Sequence, residues 1–78
     1  MAKLYFEDYN EKRTFLTEVE VNFENDNPYI NVIELIHKDL KTRMVPYFNC
    51  RYIRWWADEN NEIVFDFSSH REFYILKI

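Results

Sequence analysis

Between Cys50 and Phe67 the chain reads CRYIRWWADENNEIVFDF, and few backbone arrangements suit this stretch. Two runs of aromatic and β-branched residues flank Asp58-Glu59-Asn60-Asn61, whose asparagines tolerate the left-handed backbone that hairpin loops require. Loop length then sets the pairing. A three-residue loop, Glu59 to Asn61 with Asn61 left-handed, places Ala57 opposite Ile63, Trp55 opposite Phe65 and Ile53 opposite Phe67. The other face then pairs Arg54 with Asp66 and Trp56 with Val64. A two- or four-residue loop would put Arg54 beside Phe67 and Trp55 beside Asp66, because a slip of one residue moves every side chain to the opposite face. The first register is preferred: it leaves one apolar face for a core and one mixed face carrying Tyr52, Arg54, Trp56, Val64 and Asp66.

The rest of the chain supplies partners for this hairpin. Lys3 to Glu7 alternates Leu4 and Phe6 against Tyr5 and Glu7. Beyond the polar stretch Asp8 to Arg13, Phe15, Thr17, Val19, Val21 and Phe23 share one face, with Leu16, Glu18, Glu20 and Asn22 on the other. A four-residue loop, Tyr9 to Lys12, would set Phe6 opposite Phe15 and Tyr5 opposite Leu16. Asn27 and Pro28 mark a helix entry. From there Tyr29, Val32, Ile33, Ile36, Leu40 and Met44 form one stripe at helical spacing, with Asn31, Glu34, Lys38 and Lys41 opposite, so a helix of about fourteen residues is expected before Pro46. A last strand, Phe73 to Ile78, is apolar on both faces. The expected fold is α+β, in the order ββαβββ: a five-stranded antiparallel sheet with one helix on one face, in a single domain spanning residues 1–78. The helix is expected to cover Ile53, Trp55, Phe65 and Phe67, leaving Trp55 the more buried tryptophan.

Composition excludes several function classes. Seventy-eight residues, 47% of them hydrophobic, are enough to fold but leave no room for a second domain. Glycine is absent, which removes phosphate-cradling loops and dinucleotide turns, both of which need glycine where the backbone approaches the ligand. A single cysteine and a start, MAKLYFED, without a long apolar run lead to the expectation of a cytoplasmic protein with no membrane span and no cofactor. A net charge of −4 is too mild to drive nucleic-acid binding through the whole-molecule field. Heavy use of Asn, Ile, Lys, Tyr and Phe matches an AT-rich coding sequence, such as a small accessory gene of a phage or mobile element.

Catalytic readings are thin. Cys50 with His37 or His70 lacks an orienting third group and a glycine or backbone nest for an oxyanion. His70, Asp66 and Glu72 match no metal-ligand spacing. Lys38, Lys41, Arg43, Arg51 and Arg54 beside Tyr47, Trp55 and Trp56 invite a nucleic-acid reading, but Glu18, Glu20 and Asp66 should share the open face and repel phosphates. A sheet face that one helix cannot cover, with Tyr52, Arg54, Trp56 and Tyr74 as candidate contacts, combines Trp, Tyr and Arg as binding hot spots do. The expected function is therefore a non-enzymatic protein-binding module. The most concrete version is an anti-defence protein of the anti-CRISPR kind that binds and inhibits a host enzyme. The alternatives are a small nucleic-acid-binding regulator and a homodimer formed through the open face.

Overall fold

The computed structural model describes residues 1–43, 53–69 and 71–78. Within them, β1 (Ala2–Glu7), β2 (Arg13–Val19), α1 (Ile30–Thr42), β3 (Arg54–Ala57), β4 (Ile63–Asp66) and β5 (Phe73–Lys77) follow one another in the expected ββαβββ order. The strands form one sheet, β2-β1-β5-β4-β3, with every neighbouring pair antiparallel. Each hairpin is a flank, and β5 lies between them in the centre.

Both hairpins close with the same three-residue loop. In the second, the Asp58 N–H donates to the Glu62 carbonyl (2.9 Å), the Asn61 N–H donates to the Asp58 carbonyl (3.1 Å), and Asn61 has φ 59°. The Asp58 carboxylate accepts the N–H groups of Asn60 and Glu62. The β3–β4 pairs are those expected, from Arg54 with Asp66 to Ala57 with Ile63. Asp8 plays the same part in the first hairpin: its N–H donates to the Lys12 carbonyl, its carboxylate accepts from Asn10 and Lys12, and Glu11 stands at φ 63°. The expected four-residue loop is thereby overturned. Tyr5 faces Phe15 and Phe6 faces Thr14. A carboxylate that satisfies two loop N–H groups outweighs the roughly 1–2 kcal/mol that a side chain costs in the left-handed region.

This shorter loop shifts β2 by one residue, and a bulge shifts it back. Leu4 pairs with Thr17 while Tyr5 pairs with Phe15, leaving Leu16 as the extra residue. Phe15 therefore lies on the helix-free face beside Tyr5, whereas Thr17 and Val19 lie on the helix face. The expectation that Phe15, Thr17 and Val19 share a face is corrected, since strict alternation holds only across an unbulged strand.

The helix starts two residues later than Pro28 would allow. The Asn27 side chain accepts the Tyr29 N–H (3.2 Å) as a turn leading into the helix, and Tyr29 is the residue at its start. Val32, Ile36 and Leu40 are buried along the expected stripe, and Tyr29, Ile33 and Leu35 pack beside them. Met44 lies outside the described residues. These side chains meet Ala2, Leu4, Phe6, Val19, Ile63, Phe65, Phe67, Tyr74 and Leu76 from the sheet.

The expectation for Trp55 is corrected. Phe65 and Phe67 are buried, but Trp55 and Trp56 are both 43% exposed. The buried core under the helix draws on β1, β2, β4 and β5, and β3, at the sheet edge, contributes no buried residue to it.

Candidate functional site

The face opposite the helix carries a row of cross-strand partners running Phe15, Tyr5, Ile75, Val64 and Trp56 over all five strands. Apolar side chains on a face without a helix would ordinarily form a continuous exposed patch. Instead Ile75 is 2% exposed, and Val64 is also buried. A network of charged side chains spans the same face. Arg13 on β2 reaches past β1 and β5 to hold both carboxylate oxygens of Glu62 at 2.9 and 3.0 Å, and its Nε donates to Glu7 at 2.8 Å. Lys77 adds a fourth charge, 3.5 Å from Glu62 and 5.5 Å above the Tyr5 ring. Hydrogen bonds to Glu62 and then Glu7 raise the Arg13 pKa, while the bond from Arg13 lowers that of Glu62. Long charged side chains of this kind can lay methylene stems along apolar surface while their heads stay paired.

Both edges of this face stay open: Phe15 at the β2 end is 52% exposed and Trp56 at the β3 end is 43% exposed. Trp56 touches the ring of Phe73 edge-on at 6.4 Å. Beside it, Arg54 donates from one terminal nitrogen to Asp66 at 3.1 Å. Asp66 is buried, and its second oxygen accepts the Ser68 N–H, whereas the Arg54 side chain is 74% exposed. Arg54 thus neutralises a buried carboxylate with one corner of its guanidinium and presents the rest to solvent. All four residues of β3 are exposed.

Of the expected contacts, the structure brings Arg54 and Trp56 together on the helix-free face. Tyr52 lies outside the described residues. Tyr74 is on the other face: it pairs with Phe6 on β1 and Phe65 on β4, and it is fully buried. It leaves the candidate surface for this reason. Leu76 shares its face, so the last strand turns its larger set inward and gives Phe73 and Ile75 to the helix-free side. The Tyr74 hydroxyl donates to Asp39 on the helix, whose same oxygen accepts Arg43 Nε at 2.6 Å. The Arg43 guanidinium in turn lies 3.7 Å over the Phe6 ring. Burial first, and then the bond to Asp39, raise the Tyr74 pKa well above the usual phenol value. This cluster ties the last helical turn to the sheet. Sequence reading missed it because Asp39 and Tyr74 are far apart in the chain and each fits an ordinary surface or strand position.

No group of three or more His, Cys, Asp or Glu side chains suited to a metal ion occurs among the described residues. Cys50 and His70, on which the nucleophile and metal readings rested, lie outside those residues. Among the described residues, no helix is long and apolar enough to cross a membrane. Comparison with known proteins finds no family model, no curated protein and no solved structure that matches the chain.

Proposed function

We propose that the chain is a non-enzymatic protein-binding module whose working surface is the β3 end of the helix-free face, with Trp56 as the anchor and Arg54 as its polar neighbour. The observation that carries this is the 43% exposure of Trp56 on an edge strand whose four residues all face solvent. Large aromatic side chains and arginine supply much of the energy of protein interfaces, and a half-exposed tryptophan beside a partly uncommitted guanidinium offers both. The centre of the face is buried, and Phe15 stands exposed at its far edge; the β3 end is preferred because it sets a tryptophan beside a guanidinium that is mostly in solvent. In its finer form the proposal is an accessory protein of a phage or mobile element that inhibits a host enzyme, acting in the cytoplasm. Its support is the AT-rich residue usage and a sequence without glycine, and so without glycine loops for cofactors.

The test separates binding from folding. Trp56→Ala should weaken partner capture by about 2–4 kcal/mol, typical of an interface anchor, while shifting folding stability by about 1 kcal/mol or less. Lys12→Ala, in the first hairpin loop, should change neither. A wild-type homodimer that becomes a monomer in Trp56→Ala would assign the surface to self-association. Capture and oligomeric state both unchanged in Trp56→Ala would sink the proposal. Nucleic-acid binding is distinguished by salt, because phosphate contacts release counterions. Oligonucleotides at low salt should show no tight binding, and a salt-steep isotherm weakened by Arg54→Ala would overturn the protein reading.

A further inference from the structure

A second exposed aromatic surface lies on the opposite side of β3. Tyr29, at the start of the helix, touches three rings: Phe23 at 6.3 Å and 87°, Trp55 at 5.9 Å and 72°, and the fully buried Phe65 at 5.7 Å and 85°. Phe65 anchors the group from below, while Phe23 and Trp55 keep much of their area in solvent, with Phe23 60% exposed. We propose that Phe23, Tyr29 and Trp55 form a docking surface for a lysine- or arginine-bearing segment of a partner protein, separate from the Trp56 surface.

The charge distribution selects that occupant. From Glu20 to Tyr29 the sequence holds no lysine or arginine, but it holds Glu20, Glu24 and Asp26, all of them exposed. Phe23 and Tyr29 lie within this stretch. Arg54, the neighbour of Trp55 in sequence, faces the other way and is paired with Asp66. Ring faces carry negative potential and attract a cation within about 6 Å, as Arg43 on Phe6 and Lys77 on Tyr5 do elsewhere in this chain. Rings set nearly perpendicular to one another present several such faces at one place. Acidic side chains in the segment that carries two of these rings add attraction for a basic segment and disfavour an acidic one.

The experiment uses Trp55 as its own reporter. The chain has two tryptophans, so Trp56→Phe leaves Trp55 as the only one. This variant is titrated at physiological salt with a hexa-arginine peptide and with its neutral isostere, hexa-citrulline. The arginine peptide should give a saturable change in Trp55 emission, and the citrulline peptide none. Adding Phe23→Leu, which keeps the apolar contact but removes the ring, should weaken binding roughly tenfold, with circular dichroism showing the fold retained. If that variant did not fold, Trp55→Leu followed by amide resonances would serve the same comparison. Binding that is cation-selective yet indifferent to loss of the ring would reduce the surface to its acids and overturn the proposal. An equal response to citrulline, no response to either peptide, or Trp55 emission that changes on dilution without peptide, as a second copy on this surface would produce, would overturn it too.

Discussion

In a chain without glycine, Glu11, Asn61 and Ser68 adopt φ values of 63°, 59° and 74°. Each carries a Cβ where glycine would carry none, and only asparagine among them tolerates the region well. Glu11→Gly should therefore raise stability by about 1 kcal/mol and Asn61→Gly by less, read as urea midpoints. The aspartates that make these loops worthwhile should show the reverse effect. Asp8→Ala or Asp58→Ala removes the acceptor of two backbone N–H groups and should cost roughly 1–2 kcal/mol. Tyr74 adds a pH dependence. Its pKa is raised in the fold, so its stabilisation is whole below the ordinary phenol value of about 10 and is lost as pH rises beyond it, where the unfolded chain releases a proton that the folded chain keeps. Stability should fall above about pH 10 by up to about 1.4 kcal/mol per pH unit. Tyr74→Phe should flatten that slope and cost roughly 1–3 kcal/mol at neutral pH.

At the scale of elements, the helix and the sheet differ in what they can cover. Phe65 and Ile36 sit fully buried between them, so Phe65→Ala should cost about 3–5 kcal/mol and Ile36→Ala about 2–5. Trp55 lies past the helix edge, and Trp55→Ala should cost only about 1–2 kcal/mol. Thermal unfolding of the three variants measures this ranking directly. Equal losses for Trp55→Ala and Phe65→Ala would mean that the helix reaches β3 after all. The hairpins show how far alternation can be read. Around Asn61 the pattern and the loop agree, so the register of Trp56 and Arg54 follows from the residues. In the first hairpin the alternation of β2 is interrupted by a bulge at Leu16, and the pattern carries no mark of it, because Phe15, Leu16 and Thr17 suit either face of a half-buried strand.

For the molecule as a whole, the central position of β5 matters most. The two hairpins do not pair with each other; β5 joins them, bonded to β1 on one side and β4 on the other. Removing residues 73–78 should abolish the cooperative unfolding transition, rather than trim stability, because each remaining two-stranded flank is marginal in water. Circular dichroism of the truncated chain against temperature is the check, and a retained sigmoidal transition would contradict this account. Pairing the first strand with the last also closes a long loop before any contact rewards it.

The sequence alone determined the α+β class, the element order, the second hairpin's register and the placement of Arg54 and Trp56 together on one face, because these follow from local periodicity and the conformational tastes of asparagine and proline. Tertiary structure alone decided what those faces became. Which side of β5 turned inward, how Arg13 came to meet Glu62 across the sheet, and why the two tryptophans ended equally exposed all depend on strand order and on the limited width of one helix. Those are distances between residues remote in the chain, and no local pattern encodes them.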